Sequence, residues 1–210
     1  MQLVVLADES LKEELLSNGT SGQTELIWIK NIQELAQYEN ADGCIDLLFD
    51  NTKQRIELLK KFSLKPVIVN SVITTLKEMD APFIRINAWP GFLKSPLVEA
   101  SYSDGNIKQQ AEKFFLCLNR KTKWVPDKPG FISARVITMI INEAWFALSE
   151  NVSTKEEIDA AMRLGTNYPY GPFEWCSRIG LKNIYSLLNE LSKTDQRYKP
   201  AVLLEKEAIA

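Results

Sequence analysis

The first 126 residues alternate short runs of apolar residues, many of them β-branched, with stretches of helical periodicity. Strands that are apolar on both faces and separated by helices indicate a mainly parallel sheet covered on both sides. The pattern therefore predicts a small α/β domain with a doubly wound sheet. The predicted strands are residues 3–8, 24–30, 43–49, 65–70, 83–88 and 97–102, and the predicted helices are residues 10–17, 31–38, 52–62 and 106–118.

From Pro129 onward the sequence has the character of helix throughout, and a proline at this point suits the start of a helix. Residues 131–148 are apolar nearly all round, so we expect a helix that is buried within the chain or against another subunit. These changes predict two domains, an α/β domain at residues 1–126 and an all-α domain at residues 127–210.

The segment Ser153 to Glu156 has the spacing of a capping box. It predicts a helix that runs through Met162 and is stopped by Gly165. Three further helices are predicted from Pro172, over residues 181–191 and from Pro200.

The chain contains no histidine. This absence excludes a Ser-His-Asp or Cys-His triad, a metal held by histidine, and an imidazole that acts as general base near neutral pH. The cysteines are Cys44, Cys117 and Cys176, an odd number spaced far apart, which argues against a disulfide framework and a zinc site. We expect no bound metal, and any chemistry must use carboxylates, other nucleophiles or a cofactor.

Charge and hydropathy limit the partners. The 25 Lys and Arg residues against 27 Asp and Glu residues give a net charge of −2, so nucleic acid is not an expected partner. No stretch approaches the ~18 apolar residues of a membrane-spanning helix, and the N-terminal apolar run is too short for a signal peptide. We therefore expect a soluble, cytoplasmic protein with no membrane partner.

Three segments, taken together, resemble the 3-hydroxyacyl-CoA dehydrogenase family over roughly residues 65–185. Their order and spacing carry the resemblance, because each segment alone would arise by chance. The first is Asp127-Lys-Pro-Gly-Phe-Ile132 with Asn142-Glu-Ala144, the second runs from Ile158-Asp159 through Tyr168-Pro-Tyr-Gly-Pro-Phe-Glu174 to Ile179-Gly-Leu181, and the third is Asn87-Ala-Trp-Pro-Gly-Phe-Leu-Lys-Ser-Pro-Leu-Val-Glu99.

The resemblance implies a Rossmann-like domain, shortened here, that is joined to a helical domain through which members dimerise. It also implies the reversible oxidation of an L-3-hydroxyacyl-CoA to the 3-ketoacyl-CoA with NAD, in fatty acid metabolism. Members use a His–Glu pair, whose His takes the hydroxyl proton as hydride leaves C3. A Ser and an Asn hold the substrate oxygen.

Several positions of this chain depart from that pattern. Asn87 stands where the family has its catalytic His, twelve residues before the acid, Glu99. An amide cannot accept a proton near pH 7, so a general-base contribution of typically ~10²–10⁴-fold is lost at this position. Ser71 matches the family's catalytic Ser, although the stretch after it is shorter here, and Ala134 replaces the family's Asn.

The expected dinucleotide-binding turn departs as well. A dinucleotide fold needs glycines after its first strand so that the backbone can approach the pyrophosphate at a helix N-terminus. Here those positions are Ala7, Glu9 and Lys12, and the second strand ends in Lys30 instead of the acid that would bind a ribose. We therefore expect no cofactor, and NAD only if the chain binds it in an altered mode.

Two hypotheses about function remain open. In the first, the chain has lost dehydrogenase chemistry, binds an acyl-CoA-like small molecule in a cleft between its domains, and forms a homodimer through the helical domain. In the second, it is an active NAD-dependent L-3-hydroxyacyl-CoA dehydrogenase with an altered base. Glu99 is a structural partner of the Asn87 amide under the first hypothesis, and an acid/base activated by burial under the second.

Three other features also have alternative interpretations. Asp8 and Glu9 begin a helix or coordinate a cation, and carboxylates are favourable at a helix N-terminus without any ligand. The segment from Tyr168 to Phe173 is a turn that starts a helix or a ligand site. Cys44 lies in a predicted buried strand, where we expect it to be an inert small hydrophobe.

Overall fold

The structure is a computed structural model, and it describes residues 1–22, 24–62 and 65–210. The chain divides into two compact units, Met1–Phe131 and Ile132–Ala210. Among the described residues, no helix combines the length and the apolar character needed to cross a membrane.

The first unit is built on one seven-stranded sheet with strand order β2-β1-β3-β4-β5-β6-β7. The first five strands in this order pair in parallel, β6 runs antiparallel to β5, and β7 pairs in parallel with β6. The prediction of a mainly parallel, doubly wound sheet is therefore confirmed. The strands are β1 (Gln2–Leu6), β2 (Glu25–Ile29), β3 (Gly43–Asp46), β4 (Val67–Asn70), β5 (Ile84–Ile86), β6 (Leu97–Tyr102) and β7 (Lys121–Trp124).

Helices cover both faces of this sheet. They are α1 (Glu9–Leu16), α2 (Lys53–Lys60), α3 (Leu76–Met79) and α4 (Gly105–Cys117), and Ile32–Tyr38 forms a 3₁₀ helix. Successive residues of a buried strand serve opposite faces, and β1 shows this directly. Leu3 and Val5 belong to the apolar cluster on one face, whereas Val4 and Leu6 belong to the cluster on the other.

Two elements of this unit escaped the sequence prediction. Strand β7 reads Lys-Thr-Lys-Trp, and its alternating lysines hide the apolar signal because they lie on an exposed edge strand. Helix α3 has only four residues, too few for a helical periodicity to register. Its start is fixed by a capping box between Thr75 and Glu78.

The second unit contains α5 (Ser133–Ser149), α6 (Lys155–Thr166), α7 (Pro172–Ile179), α8 (Leu181–Ser192) and α9 (Val202–Ile209). The long helix α5 buries Ile137, Ile141 and Trp145. Burial within the chain covers one side of this segment, since Ile132 is 50% exposed and Val136 is 52% exposed, and burial of that side against another subunit stays a prediction.

The predicted limits of α6 were also wrong. Its capping box joins Thr154 to Glu157, one residue later than predicted, although the Ser153 hydroxyl also donates to the Glu157 carboxylate. Gly165 lies inside the helix. The helix ends where Asn167 adopts a left-handed conformation with φ 57°, because asparagine tolerates this region better than most residues.

The start of α7 depends on a carboxylate from the preceding helix. Asp159 is the one buried residue of α6, and its two oxygens accept hydrogen bonds from the amides of Phe173 and Glu174, at 2.8 and 3.0 Å. The segment from Tyr168 to Phe173 is thus a turn that begins a helix, in agreement with the structural interpretation. A Cβ on Gly171 would lie 2.3 Å from Cγ of Asp159, so this position requires glycine.

A second polar side chain from the segments that carry the family resemblance binds the chain before the C-terminal helix. The Asn142 carboxamide, buried on α5, donates to the carbonyl of Lys199 at 3.0 Å and accepts from the amide of Ala201 at 2.8 Å. The segment that leads into α9 is thereby held against α5.

We predict that Gly171→Ala destabilises the protein by about 1–3 kcal/mol, because the added methyl group overpacks the contact with Asp159. Urea unfolding followed by circular dichroism measures this loss. Gly165→Ala is the matched control, since a Cβ at that helical position meets nothing within 4 Å. Alanine should stabilise that position by up to about 1 kcal/mol through its helix propensity. Equal free energies of unfolding for the two variants would contradict the prediction.

Candidate functional site

The strand order identifies where a doubly wound sheet opens toward a ligand. The chain passes from β1 to β2 on one side and then returns to β3 on the other, so the connections diverge between β1 and β3. In folds of this type, ligands bind at such a switch point beyond the carboxyl ends of the strands. The residues that follow β1, β3, β4 and β5 therefore define the candidate site.

In the turn after β1, a side chain of the turn itself caps the start of α1. Asp8 is the N-cap of α1, and its carboxylate accepts a hydrogen bond from the amide of Leu11 at 2.8 Å. The neighbouring Glu9 is exposed, and its carboxylate lies 3.8 Å from the ammonium of Lys12. The interpretation of Asp8 as a helix start is confirmed. Within the described parts of the chain, no cluster of three or more acidic or cysteine side chains is arranged to hold a metal ion.

An ion pair between a fully buried aspartate and a partly buried arginine lies at the end of β3. The Arg55 guanidinium on α2 binds both oxygens of Asp46, with its Nε 2.8 Å from Oδ2 and an Nη 2.6 Å from Oδ1. Burial raises the pKa of Asp46, and the hydrogen bonds from Arg55 oppose that shift. Sequence analysis missed this pair, since the nine-residue separation across a loop and a helix start is not a recognised spacing.

Cys44 precedes this pair by two residues on β3. Burial, and to a smaller extent the charge of Asp46, raises the pKa of its thiol. The fully buried thiol is therefore protonated at neutral pH, which agrees with the prediction of an inert small hydrophobe.

Asn87 and Glu99 face each other across β5 and β6. The register pairs Ile86 with Ala100, so the amide of Asn87 donates to the carbonyl of Glu99 at 3.2 Å. Their side chains are 4% and 8% exposed, and Nδ2 of Asn87 lies 3.5 Å from Oε2 of Glu99. On its other side, Oδ1 of Asn87 accepts from the amide of Trp89 at 3.4 Å. Both polar atoms of the Asn87 carboxamide are thus engaged within the protein.

Ser71 lies beside this pair, at the carboxyl end of β4. Its amide donates to the carbonyl of Ile86 at 3.3 Å, which places it next to the residue that precedes Asn87. Its hydroxyl is buried and donates to the carbonyl of Thr74 at 2.8 Å. The structure therefore brings the backbones of Ser71, Asn87 and Glu99 together at neighbouring strands, with the Ser71 hydroxyl directed into its own turn.

Arg85 is a further member of this region that sequence analysis missed. It is 0% exposed in the middle of β5, on the same side of the strand as Asn87. Its guanidinium donates to Asp127 at 2.6 Å and to the carbonyls of Ser71, at 2.9 Å, and of Lys128. Burial lowers the pKa of Arg85, and the charge of Asp127 opposes that shift.

The segment at residues 127–131 is anchored through this cation. Asp127 also accepts the amides of Leu76 and Lys77, at 3.2 and 3.3 Å, where α3 begins. The amide of Gly130, with φ 85°, donates to the carbonyl of Val72 at 2.7 Å. The ring of Phe131 lies 4.3 Å from the Arg85 guanidinium. The segment at residues 127–131, which carries part of the family resemblance, thus holds the turn after β4 in place.

The loop after β5 has a second buried support. Both oxygens of Glu14 on α1 accept from the amide of Gly91, at 2.7 and 2.9 Å. Gly91 has φ 93°, which only glycine adopts readily. The buried Arg120 guanidinium donates to the carbonyls of Glu14, at 2.8 Å, and Leu93, at 2.6 Å. These contacts hold the middle of the loop that follows Asn87.

Comparison with known proteins extends what the residues indicate. Residues 130–209 match the model of the family described as 3-hydroxyacyl-CoA dehydrogenase, C-terminal domain. The 3-hydroxyadipyl-CoA dehydrogenase of Escherichia coli is 44% identical over 87 residues, which are 40% of this chain and 18% of that protein. A probable 3-hydroxybutyryl-CoA dehydrogenase of Bacillus subtilis is 25% identical over 219 residues, covering 93% of this chain and 76% of that protein.

Solved structures share the fold over nearly the whole chain. The (S)-3-hydroxybutyryl-CoA dehydrogenase of Ralstonia eutropha aligns with a TM-score of 0.75 at 18% identity, over 98% of this chain and 92% of that one. A 3-hydroxybutyryl-CoA dehydrogenase of Escherichia coli aligns with a TM-score of 0.77 at 18% identity, over 100% of this chain and 56% of that one. Residues 130–209 thus match the C-terminal domain of the 3-hydroxyacyl-CoA dehydrogenase family, and the whole chain is similar to a relative and to solved structures with names of that family.

The fold prediction of a Rossmann-like domain joined to an all-α domain is confirmed by these relatives. Several matches are partial, since the chain covers 18% of the length of the first relative above and 38% of a 3-hydroxybutyryl-CoA dehydrogenase of Bradyrhizobium diazoefficiens. Asn87, Glu99 and Ser71 are candidate site residues because they match catalytic positions in the family resemblance, and their roles stay predictions. Ala134 is fully buried on α5.

We predict that Glu99→Gln keeps the protein folded, with a loss below about 1 kcal/mol, because the glutamine oxygen still accepts from Asn87. Glu99→Ala should lose about 1–3 kcal/mol, because it leaves a buried amide without that acceptor. Chemical denaturation of the two variants beside wild type measures the difference. Equal losses would show that the side-chain contact between residues 87 and 99 does not contribute to stability.

Proposed function

We propose that this chain is a 3-hydroxyacyl-CoA dehydrogenase-like protein that has lost the dehydrogenase reaction and binds an acyl-CoA-like small molecule. The observation that carries the proposal is the Asn87 carboxamide, whose nitrogen faces Glu99 and whose oxygen accepts from Trp89. The family reaction needs a base at this position, and an uncharged amide supplies none.

The Glu99 carboxylate alone does not replace the His–Glu pair of the family. Glu99 is 8% exposed, and its Oε2 is directed to Asn87. In the family pair, the acid orients the imidazole that takes the hydroxyl proton. Here the Glu99 carboxylate faces an amide, which cannot accept the hydroxyl proton of an alcohol substrate.

The residues after β1 do not fit an NAD molecule bound in the family's usual way. The Asp8 carboxylate already accepts the Leu11 amide at the N-terminus of α1, where a pyrophosphate would need free amides. Side chains replace the glycines that permit close approach, and the negative charges of Asp8 and Glu9 repel phosphate. We therefore propose that no resident dinucleotide takes part in this chain's function.

We propose a cytoplasmic homodimer formed through the helical unit. The support is the partly apolar outer side of α5 and of the residue before it, where Ile132 and Val136 are about half exposed, at 50% and 52%. Free cysteines at Cys44, Cys117 and Cys176 suit a reducing compartment.

We expect Val136→Glu to convert a dimer into a monomer, because the substitution places a charge on the proposed apolar interface. Sedimentation equilibrium at micromolar concentration measures the mass of wild type and variant. A monomeric wild type would exclude the dimer, and an unchanged dimer in the variant would exclude this side of α5.

The alternative is an active NAD-dependent L-3-hydroxyacyl-CoA dehydrogenase with an altered base. It is favoured by the names of its relatives, which are dehydrogenases of 3-hydroxyacyl-CoA compounds. Under this alternative, Glu99 itself would accept the proton, and NAD would bind without the glycine turn.

Titration of the purified chain with acetoacetyl-CoA and with NADH separates the two functions. We expect acetoacetyl-CoA to bind in calorimetry, NADH fluorescence to stay unchanged, and a mixture of both to show no loss of NADH absorbance. Oxidation of NADH in the mixture would contradict the loss of chemistry, and Glu99→Gln then tests Glu99 as the base. Failure of acetoacetyl-CoA to bind would contradict the acyl-CoA ligand.

A further inference from the structure

Two aromatic side chains at the β7 edge of the sheet form a right-angled corner around a cation. The rings of Tyr102, at the end of β6, and Trp124, at the end of β7, have centroids 5.3 Å apart and planes at 87°. The ammonium of Lys108 on α4 lies 4.9 Å from the Tyr102 centroid and 5.3 Å from the Trp124 centroid. Both distances are within the ~6 Å range of cation–π attraction.

The carboxylate of Glu112, one turn further along α4, binds the Trp124 indole and forms no ion pair with Lys108. Glu112 stands four residues after Lys108, a spacing that commonly supports an ion pair. Its Oε1 instead accepts from the indole Nε1 of Trp124 at 2.6 Å. A carboxylate that accepts from the indole N–H increases the electron density of the ring, which strengthens the attraction of a cation to its face.

The corner is accessible from solvent. Tyr102 is 38% exposed, and Trp124 and Lys108 are half-buried. Lys108 reaches the rings on a flexible stem, so its ammonium can leave the corner for water while the backbone of α4 stays in place. Phe115 packs against Trp124 from the core, with centroids 6.4 Å apart, and holds the indole in position.

We propose that the corner formed by Tyr102 and Trp124 is a binding site for small quaternary or methylated ammonium cations, which Lys108 occupies in the absence of ligand. Quaternary ammonium groups are recognised by aromatic cages. A lysine ammonium is compact and strongly hydrated, and so has more to gain from returning to water. The site lies on β6, β7 and α4, apart from the candidate dehydrogenase site, and does not depend on the proposed function.

The test uses choline chloride and the full chain, with the Trp124 indole N–H signal observed by NMR and assigned through Trp124→Phe. Removal of the resident cation in Lys108→Ala should give saturable binding at least about tenfold tighter than in wild type, a difference of about 1.4 kcal/mol. Lys113→Ala is the matched control, since Lys113 is exposed on the same helix and should leave the wild-type affinity unchanged.

Adding Tyr102→Ala to Lys108→Ala removes one wall of the corner and should abolish saturable binding, while circular dichroism confirms that the variant is folded. The proposal is overturned if choline gives no saturable shift in Lys108→Ala, or if sodium chloride at equal ionic strength gives the same shift. It is also overturned if removal of the Tyr102 ring leaves the affinity unchanged in a folded variant.

Discussion

The buried Arg85 guanidinium is the interaction on which the organisation around β4 and β5 depends. A guanidinium removed from water needs every donor satisfied and a counter-charge close by. Asp127 supplies the charge at 2.6 Å, and the backbone carbonyls of Ser71, Val72 and Lys128 accept three further hydrogen bonds. The cation thereby fixes the turn after β4, which contains Ser71, and the segment that ends at Phe131. Breaking such a pair by removing one partner typically costs about 3–5 kcal/mol, because it leaves a buried charge uncompensated.

The polar groups at the carboxyl edge of the sheet share one property, which is that their partners come from the chain itself. Asp8 accepts the amide of Leu11 in α1, Asp46 is held bidentately by Arg55, and Asn87 is held between Glu99 and Trp89. An active site keeps donors and acceptors available for a substrate, at a cost in stability that the rest of the fold must offset. Here that edge resembles a structural core, and this is why the lost-chemistry proposal agrees with the residue content.

The sequence predicts the sheet because β1, β3 and β4 are apolar on both faces, a pattern that a partly exposed helix does not produce. It predicts the Asn87–Glu99 juxtaposition only through the family resemblance, since their contact depends on an antiparallel register between β5 and β6. Arg85 and Asp46 could not be predicted, because a charged residue inside a short apolar strand gives no sign of the partner that makes its burial tolerable. The predicted start of α6 was one residue early because neighbouring Ser153 and Thr154 both offer a hydroxyl in capping-box spacing, and the sequence does not distinguish them.

The residues that carry the resemblance in the helical unit have packing roles that require no catalysis. Asp159 caps α7, Gly171 leaves room for that carboxylate, and Asn142 fastens the segment before α9. These roles are structural, and none of them depends on the oxidation of a substrate. The match of residues 130–209 to the family therefore indicates common architecture, and it weighs little on activity. The proposal about chemistry depends instead on the first unit, where Asn87 stands at the position of the base in the family resemblance and the Asp8 carboxylate accepts the amide of Leu11 at the start of α1.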